Sequence, residues 1–286
     1  MPILERWVAA LPMYNVSASL RADWLELIER VGEALARDGT ASGAAGGATI
    51  ALRAVDPGEG HDALQAFWHR DDLLLSQTCG LPLVRGLAPH VRLIGTPRFD
   101  VPGCHRQRYR SALVVRAGGP RSLADCRGAR AACNGPDSHS GMNALRHAVA
   151  PLVNADTHGG RFFSEIVLTG SHLASLAALG NDEADVAAID CVTLAFAAEH
   201  HPELVAGVRQ IGFTRPVPGL PFIASKRASV ALVRRVRAAL RSVLHERADL
   251  SARLHLGDVV RSTVADYLPI ASMEREAQLR GYAQLA

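Results

Sequence analysis

The chain has 286 residues, 48% of them hydrophobic and 21% charged, an ordinary globular balance with enough length to bury a full core. Its net charge of +3 contains no long basic run, which argues against nucleic acid as a partner and is compatible with a small anionic ligand. No apolar stretch approaches the ~20 residues that span a bilayer, so no membrane span is expected.

Glu5 and Arg6 interrupt the first dozen residues, which lack the apolar run of about 7–15 residues that marks a secretory signal. That stretch reads as the first strand of the fold. The expectation is a cytoplasmic chain as the sequence stands, and a periplasmic one if a leader has been removed. The cysteines, Cys79, Cys104, Cys126, Cys133 and Cys191, are odd in number and form no CxxC pair. Reduced thiols are expected rather than a disulfide framework, and no zinc site.

In chain order, residues 7–11 form a strand ended by Pro12, and Asn15 or Ser17 caps a long helix over 18–37. Leu20, Trp24, Leu25, Ile28, Val31 and Leu35 make its buried stripe. Residues 38–47 read as a Gly/Ala loop without a phosphate-loop pattern. Strands follow at 49–53 and 73–76, with a short helix at 61–69 between them, then a strand at 91–95. Residues 96–107, rich in Pro, Gly and charge, read as a loop, and 109–116 as a longer strand.

Near residue 115 the rhythm restarts. A helical turn at 122–125 precedes a strand at 129–133 and a helix carrying Met142, Leu145 and Val149. Strands at 165–169 and 185–190 alternate with helices at 173–179 and 192–200. A strand at 208–213 leads into a stiff connector marked by Pro216, Pro218 and Pro221, then a strand at 222–225, a basic amphipathic helix over 229–245 and a final helix over 272–285. This alternation predicts an α/β protein with mixed sheets flanked by helices. Two series imply two lobes, 1–111 plus 217–286 and 112–216, with a ligand cleft between them.

The centre of this organisation is Asn134-Gly-Pro-Asp-Ser-His-Ser-Gly-Met-Asn143. The Gly-Pro-Asp turn breaks the preceding strand, and Ser138 or Ser140 caps the following helix. Free backbone N–H groups, two hydroxyls and the positive end of a helix dipole thus meet at one point, which suits an oxyanion. In α/β folds ligands sit beyond the carboxyl ends of strands. Those ends, at 13–15, 77–80, 136–143, 170–172 and 190–193, are rich in Ser, Thr, His and Gly.

Leu11-Pro-Met-Tyr14, Leu74-Leu-Ser-Gln-Thr-Cys-Gly80, Tyr109-Arg-Ser-Ala-Leu-Val-Val115, Asp137-Ser-His-Ser-Gly141, Thr169-Gly-Ser-His172 and Ala184-Asp-Val-Ala-Ala-Ile-Asp190 occur in that order over nearly the whole chain. On these segments the chain resembles the phosphonate-binding-protein family, the substrate-binding components of phosphate, phosphite and phosphonate ABC transporters. The resemblance implies a two-lobed type II periplasmic-binding-protein fold. It gives Ser138, His139, Ser140 and Gly141 the task of holding phosphonate oxygens through hydroxyls and backbone N–H groups. By the same resemblance Tyr14 lines the cleft and Asp190 meets a ligand amine. Gln77, Thr78, Tyr109, Ser171 and His172 complete the candidate set. A small anionic ligand and a transporter permease are the implied partners, with no cofactor.

Three sharper readings find no support in the sequence. His139 and His147 lie eight apart, so two helical turns bring them to one face, yet no zinc-enzyme repeat is present and no metal is expected. No Gly-x-Ser-x-Gly elbow occurs, and neither Cys79 nor Cys191 has a base identifiable from sequence. Arg234, Arg235, Arg237 and Arg241 read as a solvated helix face. Two functions survive: a solute receptor that closes on its ligand without chemistry, and a cytoplasmic sensor or biosynthetic enzyme on the same fold. With no defensible acid–base pair, a binding protein that is not an enzyme is the first reading.

Overall fold

The computed structural model describes residues 4–41, 49–58, 60–153 and 160–286. Its contacts divide the chain into two compact units. The first comprises Met1–Cys79, Leu83–Asp100 and Gly219–Asp266. The second comprises Gly80–Pro82, Val101–Pro218 and Tyr267–Ala286.

The first unit is built on a six-stranded mixed sheet. Its spatial order is Leu256–Val260, Val91–Phe99, Phe222–Ser225, Leu73–Gln77, Leu4–Ala10 and Thr49–Ala54. The last three are mutually parallel, and Phe222–Ser225 runs antiparallel to both its neighbours. Leu73-Leu-Leu-Ser-Gln77 is buried at every position, as expected of a strand covered on both faces. The helix Ala18–Ala41 buries Leu20, Trp24, Leu27, Ile28, Val31 and Leu35 at helical spacing and packs on Thr49–Ala54 and on the helix Val230–Glu246. Leu25, expected within that stripe, is exposed. The Gly/Ala loop expected at 38–47 lies, from residue 42 onward, outside the described residues.

The second unit is built on a five-stranded sheet ordered Val208–Phe213, Ser111–Arg116, Val186–Asp190, Arg130–Cys133 and Glu165–Leu168. Arg130–Cys133 is parallel to both its neighbours, and Ser111–Arg116 is antiparallel to both of its own. Period-two alternation builds two cores from one strand. Leu113 and Val115 join Cys133, Leu145, Val149, Phe162 and Phe163 on one face. Ala112 and Val114 join Leu176, Leu179, Ile189 and Ala197 on the other.

Several boundaries differ from expectation for identifiable reasons. The strand opening at Val91 continues through Pro97 to Phe99, because its partner Leu256–Val260 pairs with it there. Leu256-Gly-Asp-Val-Val260 is too short and polar to read as a strand on its own. Val217–Pro218, inside the expected connector, pairs with Arg108–Tyr109, so the long strand expected from 109 is broken at Arg110. The last helix runs Val264–Leu279, with Pro269 inside it, rather than over 272–285. Residues 80–82, 101–111, 217–218 and 267–286 fall in the second unit rather than with the first lobe as expected. The reason at the carboxyl end is packing, since Ala277, Tyr282 and Leu285 belong to the Phe162–Phe163 core.

Candidate functional site

In the second unit the strand Arg130–Cys133 delivers the chain to Asn134, and Ser138 then begins a helix in extended conformation (φ −74°, ψ 129°). The first turn, His139–Asn143, is wound as a π-helix and continues directly into the α-helix Ala144–Val149. Ser138 Oγ accepts the Gly141 N–H at 3.0 Å, a side-chain cap that still leaves the hydroxyl its own proton to donate. Gly141 allows this turn to close on the strand end. A Cβ there would collide with Asn134 Oδ1 and lie 2.8 Å from its Cγ.

Ser140 is 6% exposed, and its Oγ shares a 2.8 Å hydrogen bond with His172 Nε2. Its carbonyl accepts from Ser111 Oγ at 2.9 Å, and the Ser111 N–H donates to Thr214 Oγ1 at 2.9 Å. The strand Ser111–Arg116 therefore fixes the turn and is itself held by Thr214. His172 opens the helix His172–Gly180, whose cap is Ser171, its Oγ accepting the Ala174 N–H at 3.0 Å. Burial pushes the His172 imidazole down to about 4, so it is neutral near pH 7. Its Nδ1 is buried without a hydrogen-bond partner among the described residues.

His139 turns inward instead. It is 1% exposed, and Asn143 Nδ2 meets its Nδ1 at 3.1 Å. The same Nδ2 donates to the Ile270 carbonyl at 3.1 Å, while Asn143 Oδ1 accepts from Arg146 Nη2 at 2.8 Å. With the amide so oriented, His139 Nδ1 is the acceptor and Nε2 carries the proton. Burial first, and then the nearby His147, pushes this imidazole down to about 3. Tyr109, 2% exposed, meets the His139 ring edge-on at 6.3 Å. What His139 can offer an anion is its backbone N–H.

Asp190 ends the central strand Val186–Asp190 and caps the helix Cys191–His200. Its Oδ1 accepts the Val192 N–H at 2.8 Å and the Thr193 N–H at 3.4 Å. Tyr14, Gln77 and Thr78 belong to the first unit. Tyr14 is 1% exposed with its ring edge-to-face on Phe99. Gln77 Nε2 donates to the Leu220 carbonyl at 3.1 Å, and Thr78 Oγ1 to the Cys79 carbonyl at 3.3 Å. Among the described residues no group of three or more His, Cys, Asp or Glu is placed to hold a metal ion.

Sequence reasoning thus named both members of the Ser140–His172 pair but missed the groups that hold them. Ser111 reaches the Ser140 carbonyl from a distant strand and is itself held by Thr214, while Asn143 and Arg146 brace the turn from the helix it begins. Arg146 is the largest omission. It donates from Nη1 to the Ala283 carbonyl at 2.7 Å and pairs through Nη2 with Glu274 at 3.3 Å.

The sheet orders and helix-start geometry define a protein of the type II periplasmic-binding-protein class. Residues 79–267 match the family described as ABC transporter, phosphonate, periplasmic substrate-binding protein, and the chain belongs to that family. The family consists of substrate-binding proteins rather than enzymes. No curated protein sequence matches the chain. Among solved structures it is similar to the binding component of an ABC phosphonate transporter from Pseudomonas aeruginosa, with 15% identity, a TM-score of 0.70, and coverage of 98% of this chain and 88% of that one. It is also similar to PhnD1 from Prochlorococcus marinus in complex with methylphosphonate, with 14% identity, a TM-score of 0.70, and coverage of 97% and 99%. A Xanthomonas citri protein bound to ATP aligns with 14% identity, a TM-score of 0.64, and coverage of 97% and 98%.

Proposed function

We propose that this chain is the solute-binding component of an ABC transporter and that it holds a small phosphonate- or phosphate-like oxyanion at the Ser138–Gly141 turn. The observation that carries this reading is the 2.8 Å bond between Ser140 Oγ and His172 Nε2 at the start of a helix. An uncharged imidazole and a hydroxyl held together at a helix start provide directed donors without a competing fixed charge. The helix dipole adds partial positive charge, and the first N–H groups of a helix lack intrahelical acceptors. A tetrahedral anion presents three or more oxygens, which Ser138, Ser140 and the backbone N–H groups can share.

Family membership and the likeness to a methylphosphonate complex support the choice of ligand class. In this reading Asp190 meets an amino group when the ligand carries one, and Tyr14, Gln77, Thr78, Tyr109 and Ser171 complete the surroundings. The working location is the periplasm and the partner is a permease. Among the described residues no helix is long and apolar enough to cross a membrane, so translocation belongs to that partner.

The test is a thermal-shift and calorimetric panel of phosphate, phosphite, methylphosphonate, 2-aminoethylphosphonate, sulfate and simple carboxylates. A ligand present at one hundred times its Kd adds about 2.7 kcal/mol and moves Tm by a few degrees. A response confined to phosphorus oxyanions is expected. A flat response across the panel overturns the reading.

A further inference from the structure

None of the five cysteines is in a disulfide, and two of them meet. Cys104 lies in the turn between Val101 and Arg108, where its N–H donates to the Val101 carbonyl at 3.0 Å. Cys191 opens the helix Cys191–His200, and its N–H donates to the Arg110 carbonyl at 3.1 Å. Their Sγ atoms are 3.6 Å apart. Gly103 permits the approach. Its φ is +97°, and a Cβ there would lie 2.8 Å from Cys191 Cβ and 3.2 Å from its Sγ. Cys104 is partly exposed, within reach of an external disulfide, while Cys191 is 2% exposed. The hydrogen bond to Cys104, and then burial, push the Cys191 thiol far above the ordinary range, so Cys104 is the group that attacks first.

We propose that Cys104 and Cys191 form an intramolecular disulfide when the native chain meets a disulfide oxidant, tying the 101–107 turn to the helix that Asp190 caps. The Cys104 thiolate attacks one sulfur of the oxidant's disulfide, forms a mixed disulfide and expels one oxidant thiolate. The Cys191 sulfur, losing its proton as it reacts, then attacks Cys104 Sγ and expels the second oxidant thiolate. Two cysteine thiols are oxidised, one external disulfide is reduced to two thiols, and the two protons pass to those thiols. Cys126 and Cys133 are bystanders. Burial pushes their thiols up to about 11 and about 12, and both side chains are core residues.

The experiment treats the folded full-length chain with oxidised glutathione, or with dithiothreitol as control, and then denatures and alkylates it. After oxidation three thiols rather than five should react, and the protein should be lighter by two hydrogens. A non-reduced digest should contain one cross-linked peptide holding both Cys104 and Cys191. The cross-link closes a long loop, so Tm should rise by about 5 °C or more over the reduced chain. Cys104→Ser and Cys191→Ser should each abolish the cross-link. Five reactive thiols after oxidation, a bridge that uses Cys79, or a dimer in place of the internal bridge overturns the proposal. So does a Cys104–Cys191 peptide that forms only when the chain is unfolded before oxidation.

Discussion

Ser140 Oγ and His172 Nε2 lie 2.8 Å apart, joining the helix start after Arg130–Cys133 to the helix start after Glu165–Leu168. The two strands are parallel neighbours, with Cys133 opposite Leu168, so their carboxyl ends deliver both residues to one place. Removing the hydroxyl strips the His172 imidazole of its only hydrogen bond among the described residues and removes a donor from the turn. Ser140→Ala is expected to weaken binding of the preferred phosphorus oxyanion by about 1–3 kcal/mol, roughly 5- to 150-fold in Kd. Calorimetric titration of wild type and variant checks this, with circular dichroism confirming the fold. Equal affinity in the two proteins removes Ser140 from the site.

Asp190 separates two roles that one carboxylate can play. Its Oδ1 caps the helix Cys191–His200, and an asparagine at that position caps about as well as an aspartate. Asp190→Asn should therefore leave Tm near the wild-type value while removing the charge that an amino group would seek. Affinity for 2-aminoethylphosphonate should fall by at least about tenfold, a difference of ~1.4 kcal/mol, and affinity for methylphosphonate should stay within a factor of two to three. Equal losses for the two ligands would show that the carboxylate acts only through the structure.

The pH dependence of stability follows from two imidazoles, His139 buried and His172 partly buried. His139 and His172 titrate near 3 and 4 in the folded chain, below the ordinary value of 6.5. Between these values the unfolded chain binds protons that the folded chain does not, so stability falls as pH drops from about 6.5 toward 4. The combined loss is on the order of 3 kcal/mol, discounted because His172 is only partly buried. Urea denaturation at pH 7 and pH 5 measures it. His172→Gln should lose less stability over that interval than wild type does, and an unchanged pH slope in the variant argues against a neutral His172 in the folded chain.

How much of this was legible in the sequence depends on the distance over which each feature is encoded. Caps are local, so Ser138 and Ser171 could be read from short patterns of hydroxyl residues before apolar runs. The strand Ser111–Arg116 was legible because its apolar run is continuous and both its faces are buried. Leu256–Val260 was not, because its pairing with Val91–Phe99 comes from the fold rather than from its own Gly257 and Asp258. Within the site, the sequence could nominate Ser140 and His172 but not join them across the intervening residues. Nor could it show that His139 turns into the core, a fact decided by Asn143 and the Ile270 carbonyl.

Arg146 holds the carboxyl-terminal segment to the helix that carries the turn. It is 7% exposed and serves the Ala283 carbonyl, Asn143 Oδ1 and Glu274 at once. Arg146→Met keeps most of the aliphatic stem but removes the Arg146–Glu274 ion pair and the donor that orients Asn143. A loss of about 3–5 kcal/mol is expected. Glu274→Gln should cost less in the Arg146→Met background than in the wild type, because the pair it would break is already lost. Denaturant unfolding of both single variants and the double variant gives the coupling energy, and strict additivity would mean that the two side chains do not interact.

Gly141 gives the sharpest steric test of the turn. A methyl group there would collide with Asn134 Oδ1 and sit 2.8 Å from Asn134 Cγ, with the backbone N of Asn134 next at 3.4 Å. The obstruction is therefore a side chain. Gly141→Ala should cost about 1–3 kcal/mol through overpacking and shift the turn enough to weaken anion binding. Asn134→Ala removes both close atoms, so the double variant should regain most of the stability lost by Gly141→Ala alone, measured as the urea midpoint at constant m-value. If the double variant is no more stable than Gly141→Ala, the cost comes from the backbone of the π-turn rather than from Asn134. If Gly141→Ala is as stable as wild type, Asn134 does not pack against the turn as described.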